Sequence, residues 1–270
     1  MELKEAASRL MALLNVNTVK DISDALKQKI LSNDTAFYDT CTQSFDEDVL
    51  QHIYQFWLAD RGKNSKNQDF TPKSLAKLVT AAVIPDSGVV YDCCAGVGTL
   101  TIAMHKQNTA LHFVCDELDG NTIPFLLANL IMHNVTAIVI RGDVLKNETY
   151  VAYKVQATEK YSTVSPLDDY KLEKYDAVIS NPPYNVAWHP DWVDERFKDK
   201  PVPSANANYA FVYHCLYHLK DNAAAALILP NSVVAGKPEK EIRKYVVSMG
   251  LLSGVLAMPK NMFESTGIQT

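Results

Sequence analysis

The 270-residue chain reads as an α/β protein, a mainly parallel sheet covered by helices on both faces and preceded by a helical segment. Two observations predict this. From Thr71 onward, short β-rich runs alternate with helical stretches, the pattern of repeated βαβ units. Before that, residues 1 to about 60 carry helical spacing with no strand signal. The polar stretch Asp60-Arg61-Gly62-Lys63-Asn64-Ser65-Lys66-Asn67-Gln68 has turn composition and separates the two, giving a helical segment 1–62 and an α/β domain 63–270.

The elements follow in order. Leu3, Leu10, Leu13 and Leu14 recur at helical spacing, as do Ile22, Leu26 and Ile30, then Val49, Leu50, Ile53, Tyr54 and Trp57. Thr71 is a capping residue with Pro72 at the first helical position, and Leu75, Leu78, Val79 and Ala82 form the buried face of that helix. Strands are expected at Gly88–Asp92, Leu111–Cys115, Ala137–Arg141, Asp176–Ser180, Ala224–Leu229 and Gly254–Ala257. Helices are expected at Asn121–His133, Ala207–Lys220 and Pro238–Met249, the last stopped by Gly250.

Composition excludes several classes. The net charge of −5, from 26 basic and 31 acidic residues, is not that of a chain that holds nucleic acid by bulk electrostatics. Five cysteines (Cys41, Cys93, Cys94, Cys115, Cys215) without a CxxC pair argue against a disulfide scaffold or zinc module and suit a reducing cytoplasm. The N-terminus lacks the order of a signal peptide, and no run approaches the ~18 apolar residues of a membrane span. A soluble cytoplasmic protein is expected. His214 and His218 lie four apart on an expected helix, but with no adjacent glutamate or third ligand they are read as packing residues, and no metal is expected.

Two motifs carry chemistry. In Asp92-Cys93-Cys94-Ala95-Gly96-Val97-Gly98, small residues at a strand-to-helix turn let a ligand approach the backbone, and the next strand ends on Cys115-Asp116-Glu117, where an acid suits ribose hydroxyls. Thr101 stands where the dinucleotide fingerprint would have its third glycine, so the outline is of a nucleoside site in general. The second motif is Asn181-Pro182-Pro183-Tyr184. Two prolines stiffen a corner after an apolar strand; Asn181 and the Pro182 carbonyl offer acceptors, and Tyr184 a flat face, for a planar group bearing an exocyclic amine.

These motifs together resemble the class I, S-adenosylmethionine-dependent N6-adenine DNA methyltransferases, and more narrowly the methylation subunit of type I restriction-modification systems. The segment Asp92 to Gly98 resembles the family's cofactor loop, with Cys93 in place of a proline, and Gln68-Asp69-Phe70-Thr71-Pro72 resembles its Phe-Thr-Pro segment. Asp194-Glu195-Arg196-Phe197, Asn208-Tyr209-Ala210-Phe211 and the tail from Leu252 through Phe263 to Thr266-Gly267 point to the subfamily. The resemblance covers roughly residues 50 to 270.

The resemblance implies a Rossmann-like fold and S-adenosylmethionine held by Phe70, Thr71, Pro72, Asp92, Ala95, Gly96, Gly98, Glu117, Asp143 and Asn181, with Asp116 competing with Glu117 for the ribose. It implies Asn181, Pro182, Pro183 and Tyr184 as catalytic residues acting on an adenine flipped out of double-stranded DNA, Tyr184 stacking on the base. The implied partners are a separate DNA specificity subunit and a restriction subunit, with no membrane. The same tetrapeptide chemistry serves protein-glutamine and RNA methyltransferases, and a non-catalytic cofactor-binding scaffold is a further alternative. The family's C-terminal antiparallel strand begins just after Thr266-Gly267-Ile268-Gln269-Thr270, so a truncated chain lacking that strand is expected.

Overall fold

A computed structural model describes residues 3–45, 50–54, 71–168, 170–189, 194–202 and 206–259. Phe70, Val49, Trp57, the polar stretch 60–68 and the tail from Lys260 lie outside these, so the expectations placed on them are not addressed by the fold.

The helical start is confirmed as α1 (Leu3–Leu14), α2 (Ile22–Leu31) and α3 (Thr35–Ser44), with residues 50–54 again helical. Asp34 caps α3 by accepting the Phe37 N–H at 3.0 Å, while its second oxygen pairs with Lys29 at 2.8 Å. The buried stripe of Leu10, Ile22, Leu26, Ile30, Leu50 and Ile53 belongs to one hydrophobic cluster with Leu75, Val90, Phe125 and Leu126 of the α/β part. The segment therefore forms a layer over the sheet-covering helices. Its consequence is seen in α6 below, buried on all sides.

The rest comprises α4 (Lys73–Val83), β1 (Val89–Asp92), α5 (Thr99–His105), β2 (His112–Glu117), α6 (Ile123–Met132), β3 (Ala137–Asp143), β4 (Glu148–Gln156), β5 (Thr163–Leu167), β6 (Tyr175–Ser180), α7 (Asn208–Tyr217), β7 (Leu219–Leu227), α8 (Ser232–Ala235) and α9 (Lys240–Ser248). The sheet runs β5-β4-β3-β2-β1-β6-β7. Strands β3, β2, β1, β6 and β7 are parallel, and β4 and β5 add an antiparallel hairpin beyond β3, at the edge opposite β7. Alternation along the strands feeds two cores: Val90, Phe113, Cys115, Ala177 and Ile179 face one side, Tyr91, Val114, Tyr175 and Val178 the other. In α6 every residue from Ile123 to Ile131 is buried, as a helix sandwiched between the sheet and the N-terminal layer requires. Each of its Leu and Phe side chains contributes about 1.5–3 kcal/mol by leaving water.

Several expectations are corrected. Pro72, not Thr71, is the N-cap of α4, with no side-chain cap bond because proline carries no side-chain acceptor; the Thr71 hydroxyl instead accepts from Asn181. Leu78 and Ala82 are exposed; the buried face is Leu75, Ala76 and Thr80, a rotation that lets the Thr80 hydroxyl accept from Gln107. Helix α7 ends at Tyr217 and β7 starts at Leu219, but its ladder with β6 jumps from Tyr175↔Leu219 to Ala177↔Ala224. The irregularity holds Asn222 at φ +65°, which is why Lys220-Asp221-Asn222 does not look like strand. The β4–β5 hairpin was not expected, since Glu148 to Leu167 alternates weakly and exposes much of its surface. Residues 251–259 form no regular element, so the expected strand at Gly254–Ala257 is absent, and no strand follows Leu227 among the described residues. The five cysteines are free thiols.

Candidate active site

Chain order reverses at β1, which has β2 on one side and β6 on the other; such switch points open a crevice at the carboxyl ends of the strands. A cavity of about 600 Å³ lies there. Its walls bring together Thr71, Ala95, Gly96, Glu117, Asp143, Asn181 and Pro183 from the expected site. Thr71 and Asn181, 110 positions apart, are thus assembled by topology.

The turn after β1 makes the floor. Gly96 adopts φ +55°, and a side chain there would meet no atom within 4 Å, so the backbone faces open space where a ligand can approach. Its N–H donates to Glu117 Oε2 at 3.0 Å, and Glu117 Oε1 accepts the Asp119 N–H at 2.7 Å. The carboxylate at the end of β2 is thereby clamped by two backbone N–H groups. Gly98, at φ +91°, serves packing instead: a Cβ would lie 2.9 Å from Leu126 Cδ1 on α6. It does not line the cavity.

Asp92 does not line it either. It is fully buried beneath the turn, accepts the Thr101 hydroxyl at 2.9 Å, and burial raises its carboxyl to about 8. Thr101, which breaks the glycine fingerprint, therefore tethers the loop to the strand end. Asp116 alternates to the opposite face of β2 yet also reaches the cavity wall, where burial holds its carboxyl well above the usual range. Its Oδ1 has no hydrogen-bond partner among the described residues, whereas both Glu117 oxygens hold backbone N–H groups. Asp143 Oδ1 accepts the N–H groups of Leu145 and Lys146 at 3.1 and 3.3 Å, and Lys146 pairs with its other oxygen at 3.5 Å. With Glu117 and Asp143 against Lys146, the lining favours a ligand carrying positive charge.

On the β6 side, Asn181 Nδ2 donates to Thr71 Oγ1 at 3.0 Å and Asn181 Oδ1 accepts the Tyr184 hydroxyl at 3.0 Å. Tyr184 is 1% exposed and does not line the cavity; its phenol is turned inward onto Asn181. Pro182 is buried and Pro72 sits at the start of α4, both outside the lining. Trp188 and Phe211 supply the aromatic surface instead.

Sequence reasoning missed the anchor of this corner. Asn185, at φ +56°, accepts from Asn208 Nδ2 at 3.1 Å through its side chain and donates its N–H to Asn208 Oδ1 at 2.9 Å. The first residue of α7 thus fixes the exit of the Pro-Pro corner. The signal was present as an asparagine directly after Tyr184 and another opening Asn208-Tyr209-Ala210-Phe211. Tyr54 of the N-terminal part also walls the cavity. His214 and His218 are packing residues as expected: His214 bonds Tyr91 and Arg196 at 2.9 and 2.8 Å, and His218 Nδ1 the Glu173 carbonyl at 2.7 Å.

Comparison with known proteins shows the family and the fold. The chain is 28% identical over 295 residues to the type I restriction enzyme MpnII methylase subunit of Mycoplasma pneumoniae, covering 99% of this chain and 52% of that protein. It is 29% identical over 239 residues to the HindI methylase subunit of Haemophilus influenzae, covering 82% of this chain and 49% of that protein. The chain thus spans about half the length of these curated relatives. Among solved structures, a Listeria monocytogenes protein described as a class I S-adenosylmethionine-dependent methyltransferase shares the fold with a TM-score of 0.63 at 15% identity, over 98% of this chain and 86% of that one. The M protein of the type I restriction enzyme EcoKI does so with a TM-score of 0.51 at 17% identity, over 99% and 65%. The N-6 DNA Methylase family model matches residues 45–270, and the chain belongs to that family.

Proposed function

We propose that this chain is the modification subunit of a type I restriction-modification system, binding S-adenosylmethionine and methylating adenine N6 in DNA. The observation that carries the reading is that Asn181 and Pro183 share one cavity with Gly96, Glu117 and Asp143 at the β1/β6 switch point. The open space over Gly96, the clamped Glu117 carboxylate, the acidic lining and the volume of about 600 Å³ fit a cationic nucleoside cofactor. Gly96, Glu117 and Asp143 would hold it. S-adenosylmethionine supplies an electrophilic methyl group on a sulfonium sulfur.

The chain's own part is orientation. Thr71 and Tyr184 fix both ends of the Asn181 amide, so its oxygen keeps one direction toward an incoming amine. A held amine whose lone pair is drawn out of ring conjugation is a competent nucleophile, and positioning of this kind is worth several orders of magnitude in rate. Trp188 and Phe211 offer the apolar surface that a flipped base needs. The acidic net charge suits a chain whose DNA sequence choice and much of whose grip come from a separate specificity subunit, in the cytoplasm alongside a restriction subunit. Among the described residues no helix is long and apolar enough to cross a membrane.

Methyl transfer from labelled cofactor tests the reading, with duplex DNA, RNA and a glutamine-bearing release factor offered in parallel and the specificity subunit present or absent. Label on DNA adenine is expected; label on RNA or protein alone overturns the assignment. Asn181→Ala should abolish transfer and leave cofactor affinity within a few-fold, and equal loss of both would remove Asn181 from its role.

A further inference from the structure

Arg196 has no place in the chemistry above, yet its side chain is only 2% exposed. A buried guanidinium is costly unless every donor is used, and here all are aimed. Nε donates to both Asp194 oxygens at 3.0 Å; Nη2 donates to the Leu145 carbonyl at 3.0 Å and to Asp194; Nη1 donates to the Val144 carbonyl and to His214 Nδ1, the latter at 2.8 Å. Since an arginine only donates, His214 Nδ1 is the acceptor and its proton sits on Nε2, which donates to the Tyr91 hydroxyl at 2.9 Å. Burial keeps that imidazole neutral, lowered to about 3.

Val144 and Leu145 form the turn between β3 and β4, immediately after Asp143, and all three line the cavity. The β3 ladder has ended at Asp143↔Glu148, so the two carbonyls have no strand partner. From the far side of the wall Arg196 takes both. The next residue, Phe197, packs edge-on at 5.0 Å against Trp188, which also lines the cavity.

We propose that Arg196 is a positioning residue for the cofactor: it fixes the Val144–Leu145 turn, and through it the Asp143 carboxylate, against a nucleoside ligand. The inference rests on the cofactor assigned above. It also gives a reason for the segment Asp194-Glu195-Arg196-Phe197, in which Asp194 neutralises the guanidinium and Phe197 braces Trp188. A lysine cannot substitute, because one compact ammonium does not span two carbonyls, a carboxylate and an imidazole.

The test is Arg196→Lys in the 270-residue chain, read by calorimetric affinity for S-adenosylmethionine and by amide hydrogen exchange of the ligand-free protein. Affinity should fall roughly ten- to hundredfold, the loss of a hydrogen bond to a charged group, with faster exchange confined to residues 143–149 and the slowest core amides unmoved. Affinity within twofold of the unaltered chain, or an exchange increase spread over the whole sheet, would overturn the proposal. Should Arg196→Lys fail to fold, Asp194→Asn keeps the guanidinium and loosens its clamp; a several-fold weaker affinity with faster local exchange supports the role, and no change in either refutes it. If the unaltered chain does not bind the cofactor, the assigned ligand is wrong, while exchange at 143–149 still decides whether Arg196 holds the turn.

Discussion

Asn181 donates its side-chain N–H to the hydroxyl of Thr71 across 110 residues of sequence, at 3.0 Å. The bond joins the entry of α4 to the corner after β6. Thr71→Val keeps the shape and removes the acceptor. Losing one hydrogen bond of about 1 kcal/mol, together with the freedom that the amide regains, should lower single-turnover methylation about tenfold and leave cofactor affinity within twofold. An unchanged rate would mean that the bond does not orient Asn181.

Tyr184 separates two roles that a sequence cannot distinguish. Its ring is buried and its hydroxyl donates to Asn181 Oδ1, so Tyr184→Phe should cost several-fold in rate although a phenyl face is retained. Were the ring a stacking surface for the substrate, phenylalanine would keep the full rate. Trp188→Ala should then weaken base extrusion more than Tyr184→Phe does, as read by fluorescence of 2-aminopurine placed at the target adenine.

The two glycines of the turn after β1 should fail differently. Gly98→Ala combines φ +91° with a Cβ 2.9 Å from Leu126 Cδ1, and should destabilise the fold by about 1–3 kcal/mol in urea unfolding. Gly96→Ala, at φ +55° in open space, should cost about 1 kcal/mol of stability and weaken cofactor binding more than Gly98→Ala does. The reverse order of cofactor affinities would misplace the ligand.

Asp92 makes a pH-dependent prediction. Burial raises its folded value from the ordinary 3.8 to about 8, so its contribution to stability is fully present below pH 3.8 and is lost as pH rises through about 8. Asp92→Asn still accepts the Thr101 hydroxyl and removes the titration. Its unfolding free energy should exceed that of the unaltered chain by a margin that widens from pH 4 to pH 8 and then levels, on the order of several kcal/mol at the plateau. A margin independent of pH would show that Asp92 is ionised in the fold.

The sequence by itself determined the alternation of strands and helices, the parallel order implied by βαβ units, the turn at Gly96, the acid at Glu117 and the corner at Asn181. These are local: period, capping and turn chemistry act within a few residues, and the apolar runs of the central strands state their burial outright. The β4–β5 hairpin escaped because its edge position leaves its surface mixed, and Leu78 and Ala82 lie outside the buried face of α4 because the face was set by Gln107 and the sheet beyond it. Only the tertiary structure decided which motif residues reach the cavity. Asp92, Gly98 and Tyr184 stand in the same short segments as Gly96 and Asn181, but the pleat of β1, the packing of Gly98 on α6 and the inward turn of the phenol withdraw them from it. Thr71, Asn208 and Arg196 enter from distant parts of the chain through hydrogen bonds that no local pattern encodes, since they exist only once the β1/β6 crevice has brought their backbones together.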